Sequence, residues 1–169
     1  VGTPDKGNGG PLLTAVSRAC QDIGQNLTQI GKYHVVIMRS TILPGTMDKM
    51  VRPTLEQTTG LQVGADFGLC FNPEFLREGS SIYDFHNPPF TVIGADDNEA
   101  FEAGSNIYKQ IDAPIYRTQI KSAELVKFAS NAFHALKITF ANEIGNICKQ
   151  LDVDSHEVMD IFCKDDKLN

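Results

Sequence analysis

The chain has 169 residues, 41% of them hydrophobic and 21% charged, a composition that can bury a proper core within one large domain. Fifteen Lys and Arg against 21 Asp and Glu leave a net charge of −6, and the basic residues are scattered. That distribution argues against nucleic acid or anionic lipid as a partner. No apolar run approaches about 18 residues and no basic-then-apolar start is present, so neither a membrane span nor a signal peptide is expected. Cys20, Cys70, Cys148 and Cys163 are far apart and show no CxxC or Cys/His metal spacing. Buried, reduced thiols in a cytoplasmic protein without a metal site are expected.

In chain order, "VGTP" reads as a strand cut just before its end, and "GTPDKGNGG" at 2–10 as a Gly-rich loop without GxGxxG order. Residues 11–27 carry the 3.6-residue apolar period of a helix opened by Pro11. "HVVIM" at 34–38 has the β-branched character of a strand buried on both faces. A helix over Met47 to Gln57 follows, with Thr46 as N-cap and Asp48 in its first turn. "FGLCF" and "TVIG" read as strands, separated by "NPEFLREGS" and a polar loop "SSIYDFHNPPF". Asp96 to Asn98 offer a cap for a helix ending near Gln110, and "APIYRT" is a further strand. This alternation predicts an α/β fold with an open, mostly parallel sheet.

From about Gln119 the pattern is helical only. Residues 121–151 contain no Pro and predict one helix about 45 Å long. At about 100° per residue, Leu125, Val126, Phe133, Leu136, Phe140, Ile144 and Ile147 share one face. Glu124, Lys127, Asn131, His134 and Asn142 fall within an arc of about 80° on another. The apolar face is expected to pack and the polar face to present its groups. Asp154 is expected to cap a last helix, "SHEVMDIFC". The chain stops at "DDKLN" without a clear cap, and its two ends together read as those of an internal fragment.

In open parallel sheets ligands bind beyond the carboxyl ends of strands, where "RSTILPG" and "NPEFLREGS" begin. Pro73 would aim the Glu74 carboxylate out of its strand end, as a general base or a ribose hydroxyl acceptor. Arg77 and Glu78 read equally as site residues or as a solvated surface pair. Thr41 reads as a turn residue or as one facing substrate or water. Lys127 and Asn131, spaced i and i+4, offer a cation and an amide to a developing oxyanion. His134 on the same stripe reads as a packing residue or a ligand.

Taken together, "VGTP", "RSTILPGT", "FNPEFLREGS", "AELVKFASNAFHALKITFANEIGNIC" and "VMDIFCKDDKLN" resemble, in order and over essentially the whole chain, the nucleotide-sugar dehydrogenases that oxidise UDP-glucose or GDP-mannose to the uronic acid. "HALKITFANEIGN" and "CKDDKLN" look most like the GDP-mannose branch, which supplies alginate-type polysaccharides. The resemblance implies NAD as cofactor and two hydride removals at C6, through a cysteine thioester that water then hydrolyses. It implies that Glu74 is the base of the hydrolytic step, that Thr41 positions the water, and that Lys127 and Asn131 stabilise the oxyanion. Phe75, Leu76, Arg77 and Glu78, with His134 and Asn142, would line the nucleotide-sugar pocket, while Thr3, Pro4 and Glu78 would touch NAD. Residues 1–118 would be the C-terminal portion of the NAD-binding Rossmann-like domain. Residues 119–169 would begin a central helical domain that joins two copies in a homodimer.

Two departures accompany the resemblance. The family's GxGxxG and its nucleophilic cysteine, in a "GGSCLPKD"-like segment, do not occur in these residues, so the chain alone is expected to be inactive. A UDP-glucose-oxidising enzyme and a noncatalytic module for helix-mediated dimerisation are the alternatives.

Overall fold

The computed structural model describes residues 1–7 and 10–167. Asn8 and Gly9, in the Gly-rich stretch, and Leu168 and Asn169, in the last motif, lie outside the described residues. The chain divides into two compact units, Val1–Phe128 and Ala129–Asn169.

The first unit is an α/β, Rossmann-like assembly. Helix α1 (Thr14–Ile30) leads to strand β1 (Val35–Met38). A π-helical turn at Met47–Val51 then runs into α2 (Arg52–Thr59). Strand β2 (Gly68–Phe71), α3 (Ser81–His86), β3 (Thr91–Ala95), α4 (Asn98–Asn106) and β4 (Ile115–Thr118) follow, and α5 begins at Ile120. The strands lie in the order β1-β2-β3-β4. β1 runs parallel to β2 and β3 parallel to β4, but β2 and β3 are antiparallel, with Phe71 opposite Gly94. The sheet is therefore mostly parallel. Its one reversal arises because residues 72–90 bring the chain back to the edge it left, whereas a parallel link needs a crossover along the sheet.

Side-chain alternation along the strands builds two cores. Val36, Met38, Leu69, Phe71 and Val92 meet Val16, Cys20 and Leu27 of α1, Leu55 of α2, and Ile120 and Ala123 of α5. On the opposite face, Cys70, Ile93 and Ala95 pack with Ala100 and Tyr108, flanked by Val35, Ile37 and Phe85. Strands β2 and β3 are buried throughout. β1 alternates half-buried and buried residues because it stands at one end of the strand order, so the expectation of a strand buried on both faces is corrected.

Gly94 shows how α5 is seated: a Cβ there would lie 2.7 Å from the Cα of Ile120 and 2.8 Å from the Cβ of Ala123. Only a residue without a side chain lets the first turn of α5 approach β3 so closely.

Three local expectations are corrected. The segment 80–90 is not a plain loop, since residues 81–86 form α3. Thr46 has helical backbone angles and makes no side-chain cap. The helix opened by Asp97, whose carboxylate accepts from the Ala100 amide at 2.7 Å, ends at Asn106 because Gly104, Ser105 and Asn106 are weak helix formers. The chain then continues in i to i+3 turns through Tyr108 to Ile111.

The second unit holds the rest of α5 (Ile120–Leu151) and α6 (Ser155–Phe162). Asp152 turns the chain with φ 55, a left-handed conformation that Asp tolerates. Asp154 then caps α6, accepting from the His156 amide at 2.8 Å. The rings of Phe140 and Phe162 lie 5.4 Å apart and tie the helices together. Phe133, Leu136, Phe140 and Ile147 are exposed. Among the described residues no helix is long and apolar enough to cross a membrane.

Candidate active site

At the end of β2, Asn72 is buried and its side chain is bonded through both its nitrogen and its oxygen. The amide group donates to the Val92 carbonyl at 3.0 Å, and the side-chain oxygen accepts from the Tyr108 hydroxyl. This fastening fixes the point from which Pro73 and Glu74 emerge. Lys127 reaches that point from α5: its Nζ donates to the Glu74 carbonyl and lies 3.3 Å from Glu74 Oε1. The ammonium also stands 5.3 Å from the centre of the Phe75 ring. Glu74 Oε2 accepts from the Leu76 amide at 2.7 Å. The Lys127 side chain is 8% exposed and that of Glu74 31%, so the carboxylate faces solvent while its ammonium partner does not. An ammonium has three N–H groups. One donates to the Glu74 carbonyl, and the contact with Oε1 is an ion pair.

The polar stripe of α5 thus behaves opposite to expectation within the first unit. Glu124 and Lys127 are buried, while Leu125 and Val126 are 55% and 38% exposed. The physical reason is hydrogen-bond satisfaction. Both Glu124 oxygens accept backbone amides, of Gly45 at 2.6 Å and Met47 at 2.9 Å, and Lys127 has the Glu74 partners. Buried polar groups are tolerated when paired in this way.

Glu74 opens on a cleft of about 310 Å³ whose walls include Phe75, Leu76, Arg77, Asp84 and Phe90. Asp84 holds the loop in shape. It accepts from the Arg77 amide at 3.0 Å, from Arg77 Nε at 3.1 Å and Nη2 at 2.6 Å, and from Ser80 Oγ at 2.9 Å. The Arg77 hydrogen bonds hold the Asp84 carboxyl well below the usual carboxylate range, and the same contact raises Arg77. Arg77 is therefore paired with Asp84, with most of its side chain still exposed. Glu78 is exposed and is not among the cleft's lining residues.

Thr41 is exposed in the loop after β1, and its carbonyl accepts from the Thr3 hydroxyl at 2.9 Å, which ties the chain start to that loop. Pro4 is exposed, and its carbonyl accepts from the Leu12 amide at 2.7 Å. Asn131, His134 and Asn142 belong to the second unit, where all three are exposed. The described part of 2–10 is a loop bridged at Asp5 and Pro11, not a Gly-rich turn between a strand and a helix. Burial pushes the Cys70 thiol up to about 12 and raises that of Cys20. Cys148 is buried and Cys163 is exposed beyond α6.

Asn72, Asp84 and Glu124 were not singled out as site residues from sequence. A usable signal existed for Asp84: Ser80 followed by a stretch stopped at Pro88 and Pro89 is a short helix with a start and a stop. None existed for Glu124, whose partners are backbone amides nearly 80 positions away.

The cleft beyond the end of β2, with the Glu74 carboxylate on its wall, lies where open α/β sheets hold their ligands. The NAD-binding domain model of the UDP-glucose/GDP-mannose dehydrogenase family matches residues 1–112, and that family's central domain model matches residues 121–169. A GDP-mannose 6-dehydrogenase of Pseudomonas aeruginosa is 47% identical over 169 residues, 100% of this chain and 39% of the relative. A UDP-glucose 6-dehydrogenase of Haloferax volcanii is 36% identical over 98% of this chain and 40% of its own length. The solved ternary complex of GDP-mannose dehydrogenase from Pseudomonas aeruginosa superimposes with a TM-score of 0.95 at 46% identity, covering 98% of this chain and 38% of that one. The chain belongs to the UDP-glucose/GDP-mannose dehydrogenase family. It spans about 39% of the length of the curated relatives it matches.

Proposed function

We propose that the chain carries the hydrolytic base and an oxyanion donor of an NAD-dependent nucleotide-sugar 6-dehydrogenase that converts GDP-mannose to GDP-mannuronate. The observation that carries this reading is the Glu74–Lys127 pair at the cleft, 3.3 Å apart, on a chain 47% identical to GDP-mannose 6-dehydrogenases. Alcohol to acid is a four-electron oxidation, so NAD supplies the hydride acceptor twice per sugar. Between the oxidations the aldehyde carbon bonds to a cysteine sulfur, and the thioester formed by the second is cleaved by water. That cysteine is none of the four here.

The geometry at Glu74 and Lys127 supports their tasks most directly. Glu74, part exposed and fixed by the Leu76 amide, takes a proton from the attacking water. Thr41 orients that water. A Lys127 N–H donates to the oxyanion of the tetrahedral intermediate; removing such a donor costs about 10²- to 10³-fold in kcat. The cleft of Phe75, Leu76 and Arg77 holds the nucleotide sugar. Thr3, Pro4 and Glu78 meet the cofactor at its rim.

Residues 1–118 then form part of the NAD-binding domain and 119–169 part of a central helical domain. The exposed Phe133, Leu136, Phe140 and Ile147 pair two copies in a cytoplasmic homodimer. Incubating the full-length protein with NAD and either GDP-mannose or UDP-glucose tests the reading. NADH formed with higher kcat/KM on GDP-mannose supports it, preference for UDP-glucose replaces the substrate, and no NADH from either removes it. The 169 residues alone are expected to form none.

A further inference from the structure

Among the described residues, Glu124 is a buried carboxylate whose partners lie in the segment that follows β1. Its side chain has 0% exposure, and its two oxygens serve different amides, Oε2 that of Gly45 and Oε1 that of Met47. Those amides flank Thr46, which has helical backbone angles and supplies no cap of its own. Glu124 therefore takes the place of an N-cap for the turn at Met47–Val51, from a helix far away in sequence. An acceptor-only carboxylate suits two donors that converge on it.

Three residues further along α5 is Lys127, and residues spaced by three share a side of a helix. One turn of α5 thus holds both strand-end loops. Glu124 grips the loop after β1, which carries Thr41, and Lys127 grips the loop after β2, which carries Glu74. The turn itself is fixed to the sheet by the close approach of Ile120 to Gly94. Loss of the Glu124 contacts would accordingly let the β1 loop drift while Lys127 and Glu74 kept their places.

We propose that Glu124 is a positioning residue for the dehydrogenase reaction: it sets the Thr41 loop against the Glu74–Lys127 pair and touches no substrate. This rests on the function proposed above. A capping carboxylate with only a structural role would alter stability alone, whereas a positioning role alters turnover of bound substrate.

The test uses the full-length protein with Glu124→Gln and Glu124→Asp. Gln keeps the volume and one acceptor oxygen but turns an NH2 toward the second amide; Asp keeps both acceptors on a shorter stem. In Glu124→Gln, kcat is expected to fall about 10- to 100-fold with KM for the nucleotide sugar within about threefold, the size of loss a small misplacement brings. Glu124→Asp is expected to recover part of that loss. Amide hydrogen exchange in Glu124→Gln should speed up at Gly45 or Met47, with β2 and β3 unchanged. Unchanged kcat, a change confined to the melting temperature, or unchanged exchange at both amides would overturn the proposal. A wild-type protein that forms no NADH from either nucleotide sugar overturns it by a different route, because the underlying function is then wrong.

Discussion

The two stretches of α5, residues 120–128 in the first unit and 129–151 in the second, differ in what they bury. In the first, Glu124 and Lys127 are buried and Leu125 and Val126 face out. In the second, Phe133, Leu136, Phe140 and Ile147 are exposed, as are Asn131, His134 and Asn142. The first stretch teaches that a polar residue goes inside when an element nearby has unmet amides or a carboxylate to offer it. The second teaches that apolar periodicity marks a surface able to pack without saying that this chain packs it.

The sharpest way to break the comparison is to remove Lys127 or its partner Glu74. Glu74→Gln in the full-length protein is expected to lower steady-state kcat about 10²- to 10⁴-fold, the range for a lost general base. Lys127→Ala is expected to lower it about 10²- to 10³-fold. Steady-state NADH assays check both, and sedimentation should show the oligomer unchanged. If both variants turn over normally, the polar groups of the first stretch are only packing.

Next comes the contrast between apolar residues. Phe71 is 0% exposed, so Phe71→Ala is expected to cost about 3–5 kcal/mol in urea unfolding. Phe133 is 58% exposed, and Phe133→Ser is expected to leave unfolding of the single chain within about 0.5 kcal/mol while weakening self-association. An unshifted association constant on sedimentation would refute the homodimer through this face.

The smallest effect concerns the Asp84 clamp. The folded-state carboxyl titrates below its unfolded value, so the unfolded chain binds more protons between the two and stability rises with pH across that window. The clamp's contribution is fully present above about pH 4 and is lost as the pH falls below the usual carboxylate range. Unfolding of wild type and Asp84→Asn should therefore differ near neutrality and converge in acid. The difference should be modest and salt-sensitive, because Arg77 is largely exposed.

Much of the fold was legible because strand and helix signals here are strong and local. The runs "HVVIM", "FGLCF", "TVIG" and "APIYRT" correspond to β1–β4, and the long uninterrupted helix and its successor's Asp154 cap also appear as expected. The reversal between β2 and β3 was not legible, since it depends on where a 19-residue link returns and not on either strand's composition. Helix α3 was hidden for a related reason: its six residues are too few to show a period, and Asp84 holds the turn by bonds to Arg77 and Ser80. At the site, Glu74 was legible from Pro73 and the strand end, and Lys127 from its place on the helix. That the two meet, and that Glu124 turns inward beside them, depends on backbone amides and a carbonyl that no side-chain pattern encodes.

The central claim is that Glu74 serves the hydrolytic step, and a rapid-mixing record of NADH from GDP-mannose tests it most directly. The account predicts that Glu74→Gln, in the full-length protein, gives a burst of about two NADH per active site and then stalls with an acyl-enzyme detectable by mass. A Glu74→Gln protein that turns over steadily at the wild-type rate, with no acyl-enzyme, would contradict it.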